Sequence, residues 1–79
     1  MAARAYVLIE TSVGKTKDVV LALRKVRGMK EVNAVTGPYD VIAVVEGVDL
    51  TAVGNLVADE IHPVGGIERT VTCLAVELG

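Results

Sequence analysis

The 79-residue sequence has few aromatic residues: it has no Phe, no Trp and two tyrosines, Tyr6 and Tyr39. It has a single cysteine, Cys73, which excludes an intramolecular disulfide and a zinc site built from several cysteines. No apolar run approaches the ~20 residues that span a bilayer, and the N-terminus lacks a signal-peptide pattern. We therefore expect a cytoplasmic protein that has no contact with membranes.

Positive charge is not in excess either. Eight Lys and Arg against ten Asp and Glu give a net charge of −2. Nucleic-acid binders usually carry a basic stripe, because contacts to phosphates supply much of their affinity. Six of the cations lie between Lys15 and Lys30, but Asp18 interrupts them, which favours a solvated helix face. We expect no direct contact with nucleic acid.

Aliphatic side chains dominate what is present. Hydrophobic residues make up 52% of the sequence, and its mean hydropathy is +0.53. A folded chain this short has too much surface for its volume to hide so many apolar groups. We expect a single domain over residues 1–79, with part of its apolar surface buried against another subunit.

Hydrophobic periodicity and turn residues predict six elements in the order β-α-β-β-α-β. The predicted strands cover residues 5–10, 30–36, 40–46 and 68–78, and the predicted helices cover residues 14–27 and the stretch after Asp49. Right-handed crossovers place both helices on one face of a four-stranded antiparallel sheet. This is an α+β, ferredoxin-like fold in which the first and third strands form the central pair.

The second helix has an N-cap and a glycine in its interior. Asp49 is the predicted N-cap, and the predicted buried side chains are Leu50, Val53, Val57 and Ile61. Gly54 costs about 1 kcal/mol relative to Ala in a helix, so we expect a close packing contact there. Gly28 and Gly66 hold equivalent places after the two helices, and a left-handed conformation is expected at Gly28.

The central strands are apolar on both faces. Residues 7–9 and 41–45 are uninterrupted aliphatic runs, whereas a half-solvated antiparallel strand alternates apolar with polar residues. The sheet face opposite the helices must therefore be covered. We predict a two-fold homodimer formed sheet against sheet, as in dimeric α/β barrels.

Two isolated motifs carry little chemistry. Gly14-Lys15-Thr16 resembles the end of a phosphate-binding loop, but the glycine required five residues earlier is replaced by Ile9. Cys73 lies in the middle of a predicted strand, where a buried, unreactive thiol is expected.

His62, the only histidine, lies at the end of the second helix, near Asp59 and Glu60. A helix C-terminus favours its protonated form, so a structural cap is one interpretation. As a catalytic base it would need an orienting partner and a nucleophile. The alternative to a binding module is a small enzyme of the dimeric α+β barrel type that uses His62 or Tyr39 in a cleft. We expect no metal site and no cofactor.

The segment over residues 35–41 combines a turn, an aromatic ring and a carboxylate. Gly37 allows positive φ or close backbone approach, and Pro38 stiffens the turn. Asp40 enters a central strand, so its carboxylate must be paired or exposed. It could hold the α-amino group of an amino acid beside free backbone amides, or it could cap backbone N–H groups. The pattern leaves both interpretations open.

Residues 35–45 resemble the hallmark segment of the effector-binding (RAM) domain of Lrp/AsnC transcriptional regulators, and residues 66–74 resemble that domain's last strand. The resemblance implies homodimers, often joined as an octamer of four dimers, and amino-acid effectors held between dimers. Carried onto this sequence, it implies effector-binding roles for Gly37, Tyr39, Asp40, Thr70 and Thr72.

One departure from the full-length family matters for function. No helix-turn-helix precedes residue 5 in this sequence, so we expect a stand-alone effector domain without a DNA-binding domain. Such a module would be non-enzymatic. It would bind a metabolite, or co-assemble with full-length relatives and alter their output. A purely structural assembly module is a third possibility.

Overall fold

A computed structural model describes residues 2–78. Its elements are β1 (Ala3–Thr11), α1 (Thr16–Leu23), β2 (Met29–Ala34), β3 (Val41–Gly47), α2 (Leu50–Leu56) with a π-helical continuation (Val57–Ile61), and β4 (Ile67–Leu74). The strands form one antiparallel sheet in the order β2-β3-β1-β4. The predicted ferredoxin-like α+β fold, with β1 and β3 at the centre, is confirmed.

The core lies between this sheet and the two helices. Alternate residues of β1 and β3 face the helices, and Val7 pairs directly with Ala43 in the register. Fully buried side chains of the core are Ala5, Val7, Ile9, Val19, Leu23, Val41, Ala43, Val45 and Ile61. Both helices contribute to this one cluster, so they cover the same sheet face.

Three elements end earlier than predicted, and the first of them is β2, which ends at Ala34 and not at residue 36. α1 ends at Leu23, because the chain then tightens into bonds between residues three apart, from Val26 N to Leu23 O at 3.0 Å. β4 ends at Leu74, which pairs with Ala5, and one further bond runs from Ala75 N to Arg4 O at 2.9 Å. Asp40 precedes β3 and does not begin it.

Three burial predictions were wrong. Leu50 is 58% exposed, and Cys73 is exposed. No atom lies within 4 Å of a Cβ built at Gly54, so the expected packing contact is absent within residues 2–78. Leu50 and Gly54 are open because β4 is an edge strand and α2 leaves its helix-facing side uncovered, whereas Cys73 pairs with Tyr6 and lies on the opposite face of the sheet. Asp49 is confirmed as the N-cap, with Oδ1 accepting from Ala52 N at 2.8 Å.

The two glycines that follow the helices adopt the left-handed conformation. Gly28 has φ +93° and Gly66 has φ +97°. A Cβ built on Gly66 would lie 2.9 Å from Lys15 Cβ and 3.1 Å from Val19 Cγ2. Because both atoms are near the α1 backbone, neither can withdraw freely. Gly66 therefore sets how closely the start of β4 approaches α1.

Gly66→Ala should destabilise the fold by at least about 1 kcal/mol, through its left-handed φ and its clash with α1. The neighbouring Gly65 is the matched control, since its φ is not in that region and a Cβ there has open space. Urea unfolding should give a lower midpoint for Gly66→Ala and a wild-type or higher midpoint for Gly65→Ala. Equal midpoints would contradict this role of Gly66.

Candidate functional site

The turn between β2 and β3, called here the hairpin, spans residues 35–40 at one end of the sheet. Val35 N donates to Asp40 O at 2.9 Å and closes it. Gly37 has φ +138°, so of the two roles that a glycine allows here it takes the positive φ. Tyr39 is half-buried, and Gly37 and Pro38 are exposed. The hairpin thus presents a ring and an open turn side by side.

Asp40 joins this hairpin to the end of β1. Its backbone N–H donates to Ile9 O at 2.9 Å, and its Oδ2 accepts from Thr11 N at 2.8 Å. The capping interpretation of this carboxylate is therefore confirmed. Within residues 2–78 the other oxygen, Oδ1, accepts no hydrogen bond, so Asp40 keeps a free acceptor beside the turn.

Thr70 and Thr72 lie on a different surface. The register pairs Thr70 with Ile9 and Thr72 with Val7, so both threonines are on the helix-facing side of β4. Thr70 Oγ1 is 3.2 Å from His62 Nε2. The structure brings together Gly37, Tyr39 and Asp40, but it does not bring the threonines to them within one protomer.

Thr72 lines an apolar channel, called here the α2–β4 groove, between α2 and the uncovered side of β4. Its lining residues are Leu50, Val53, Gly54, Val57, Ala58, His62, Thr72 and Leu74. Sequence reasoning missed it by assigning Leu50 to the core. The sequence feature that could have indicated the groove is the pair of small residues Gly54 and Ala58, which lie four positions apart on one side of the helix.

His62 and Tyr39 do not converge. His62 is exposed on the groove, whereas Tyr39 belongs to the hairpin and is not among the residues that line the groove. Within residues 2–78, no three His, Cys, Asp or Glu side chains are grouped so as to hold a metal ion. No helix in the described part of the chain is long and apolar enough to cross a membrane.

The sheet face opposite the helices carries an open-face patch of apolar side chains. Its members alternate with core residues along the strands: Tyr6, Leu8, Ile42, Val44, Val71 and Cys73. Cross-strand ion pairs flank the patch. Arg4 Nε donates to Glu46 Oε2 at 2.8 Å at one end, and Arg69 Nε lies 3.6 Å from Glu10 Oε2 at the other.

Glu46 is the acidic centre of the first flank. The hydrogen bond from Arg4 lowers the pKa of the Glu46 carboxyl, and the nearby Lys30 Nζ, 3.8 Å from Oε1, acts in the same direction. The pKa of Arg4 is raised, chiefly by the same hydrogen bond. Both groups are therefore charged at neutral pH, and the patch is bounded by a fixed polar rim.

Comparison with known proteins gives a consistent result. The family model described as "Lrp/AsnC ligand binding domain" matches residues 4–78. The structure of TTHA0845 from Thermus thermophilus is 32% identical, with 98% of this chain and 96% of that chain covered and a TM-score of 0.90. FFRP-DM1 is 30% identical, with 94% and 99% covered and a TM-score of 0.88. No curated protein matches the sequence.

A third structure shares the fold alone. The transcriptional regulator NMB0573 from Neisseria meningitidis, solved as an L-Met complex, is 16% identical with a TM-score of 0.83. It covers 95% of this chain, and the match spans 50% of that regulator.

The lowered pKa of Glu46 makes stability depend on pH in a defined direction. A carboxyl whose pKa is lowered by folding contributes stability above its ordinary value of 4.5, and this contribution is lost as pH falls through the folded pKa. The difference in urea midpoint between wild type and Glu46→Gln should therefore be largest at neutral pH and shrink in acid. Glu31→Gln, at an exposed site on β2, serves as control. A constant difference across pH would contradict the pairing.

Proposed function

Because the chain belongs to the Lrp/AsnC ligand-binding domain family, we propose that this regulatory, effector-binding module binds an amino acid at its hairpin. Support comes from the family match over residues 4–78 and from the L-Met complex of a regulator with the same fold. The observation that carries the proposal is the free carboxylate oxygen of Asp40 beside an open turn.

The groups of the hairpin match the two ends of an α-amino acid. Asp40 Oδ1 is available to accept from an ammonium group, while Oδ2 is held by Thr11 N. Within the described chain, the backbone N–H groups of Thr36, Gly37 and Tyr39 make no hydrogen bond, so they can donate to a carboxylate. A charge-assisted bond at each end gives affinity and orientation. The Tyr39 ring then contacts the effector side chain.

Thr70 and Thr72 enter the proposed site in a different way. They lie on the helix-facing side of β4, which β1 separates from β3 and its hairpin. In the proposal they act only from an adjoining chain, in an effector site shared between dimers.

The open-face patch supports a homodimer formed sheet against sheet. Tyr6 is 39% exposed although it is central in the patch, and Leu8 and Ile42 beside it are half-buried. Covering such a surface removes apolar area from water, worth about 25 cal/mol per Å². The same face would allow co-assembly with full-length relatives, through which the module would alter transcription. Both helices of this chain pack against the other face of the sheet.

The effector site is tested by calorimetry against the twenty amino acids. We expect at least one to bind, and Asp40→Asn to weaken its binding at least about tenfold, the effect of losing about 1.4 kcal/mol. Asn keeps an acceptor for Thr11 N, so this variant should fold as wild type does. Asp40→Ala should lose stability as well. Binding unaltered by Asp40→Asn would contradict the site, and thermal denaturation verifies the fold.

The sheet contact is tested by mass in solution. Leu8→Lys places a charge in the centre of the open-face patch, so light scattering should show a smaller species than wild type. Val48→Lys, at a loop residue that is 78% exposed, is the matched control and should leave the mass unchanged. A wild-type chain that remains monomeric at all concentrations would contradict the proposed dimer.

A further inference from the structure

The α2–β4 groove has aliphatic walls. Among residues 2–78, no Lys, Arg, Asp or Glu lines it, and only His62 and Thr72 bring polar side chains to it. Its volume is about 370 Å³, which is within the range of about 300–1,000 Å³ that is usual for small-molecule sites. The groove is therefore suited to a small occupant that is mainly apolar.

The groove is polar at one end and aliphatic at the other. His62 lies at the end where β4 begins, with its Nε2 3.2 Å from Thr70 Oγ1, and Thr72 follows on the same side of the strand. Leu74, two residues further along β4, and Leu50, the first residue of α2, are exposed at the opposite end. Such a gradient matches a molecule that has a polar end and an apolar end.

The middle of the groove is open because α2 presents small residues there. Gly54 and Ala58 are both exposed, and a Cβ built on Gly54 meets no atom within 4 Å. Val53 and Val57, which also line the groove, are buried. An occupant of this part of the groove would therefore contact aliphatic carbon and the small residues of α2.

The two threonines connect the groove to the proposed effector site. Thr72 lines the groove, and Thr70 contacts His62 at its polar end. In the proposed function, both threonines face an effector that is held by the hairpin of an adjoining chain. An effector whose α-amino and α-carboxylate groups are bound at that hairpin therefore has its side chain at the mouth of the groove.

We propose that the α2–β4 groove holds the side chain of the effector, which is a neutral aliphatic amino acid; this assignment rests on the effector site proposed at the hairpin. Gly54 and Ala58 determine the specificity, because their small size leaves the space that the side chain fills. The methylene groups of the effector are removed from water along the groove, and its polar end stays beside the threonines.

Charged side chains are disfavoured in the groove for two reasons. A cationic side chain finds no carboxylate among the lining residues, and burying a charge without a partner is costly. An anionic side chain could reach only His62, whose Nε2 already lies beside Thr70 Oγ1. Asp59 and Glu60, three and two residues before His62, would repel an anion at this end.

An unbranched series of amino acids tests the aliphatic assignment by calorimetry. Affinity should rise from alanine through 2-aminobutyrate and norvaline to norleucine, by about fourfold for each methylene that the groove buries. Lysine is the matched charged ligand, because it has the carbon chain of norleucine with an added ammonium group. It should bind at least about tenfold more weakly than norleucine. Tighter binding of lysine than of norleucine would overturn the proposal.

Ala58→Glu should reverse this preference, because it places a carboxylate in the groove. Norleucine should bind at least about tenfold more weakly than to wild type, and lysine should bind more tightly. Asn55→Glu is the matched control, since Asn55 is exposed on the same helix, does not line the groove and gives the same change in charge. This control should keep the wild-type order of affinities.

Gly54→Leu should remove the dependence on chain length, because it fills the middle of the groove. Alanine should bind as it does to wild type, whereas norvaline and norleucine should lose their advantage over it. Gly65→Leu is the control, since a Cβ there also meets open space and lies outside the groove. Asp40→Asn should instead weaken every member of the series to the same degree, because all of them share the ammonium group.

The results distinguish failure of this assignment from failure of the effector site. If Asp40→Asn weakens binding but affinity is constant along the series, or if Gly54→Leu and Ala58→Glu leave the order of affinities unchanged, the groove assignment is overturned and the hairpin site stands. If no amino acid binds to wild type, or if Asp40→Asn has no effect on binding, the hairpin site is overturned and the groove assignment with it.

Discussion

The central strands of this sheet have apolar side chains on both faces, and the two helices can cover only one of them. The core, the open-face patch and the proposed association all depend on how the second apolar face is covered. Val7 and Ile9 pack beneath the helices, whereas Tyr6 and Leu8, which alternate with them along β1, remain on the opposite face. In a chain of 79 residues no further segment of useful size exists within residues 2–78 to cover that side. The proposed dimer would remove this second face from water.

The sequence predicted the fold well where local chemistry decides it. Gly28 and Gly66 have the left-handed φ that ends each crossover, and Asp49 caps α2 through Ala52 N. It failed where lateral position in the sheet decides, because periodicity cannot tell an edge strand from a covered one. β4 lies at the edge, and α2 leaves its helix-facing side open. Leu50 was predicted to be buried from the helical periodicity, but it lies beside this open side and is exposed.

The same distinction applies to the candidate site. The order of residues placed Gly37, Tyr39 and Asp40 together because they are adjacent in the chain. It could not separate them from Thr70 and Thr72, whose side depends on the register with β1. Nor could it decide how Asp40 is used. The two interpretations of its carboxylate are compatible, since one oxygen caps Thr11 N while the other is free.

Asp40 also links an effector at the hairpin to the strand that carries the open-face patch. Its Oδ2 holds the amide of Thr11 at the end of β1, and Thr11 Oγ1 lies 2.7 Å from Thr16 Oγ1, at the first residue of α1. β1 carries Leu8 of the open-face patch, and α1 carries Val19 and Leu23 of the core. A ligand that draws on the Asp40 carboxylate therefore acts on the residue where both elements meet. Coupling between a site and an assembly requires such a shared element, and it requires the ligand to favour one arrangement of that element over another.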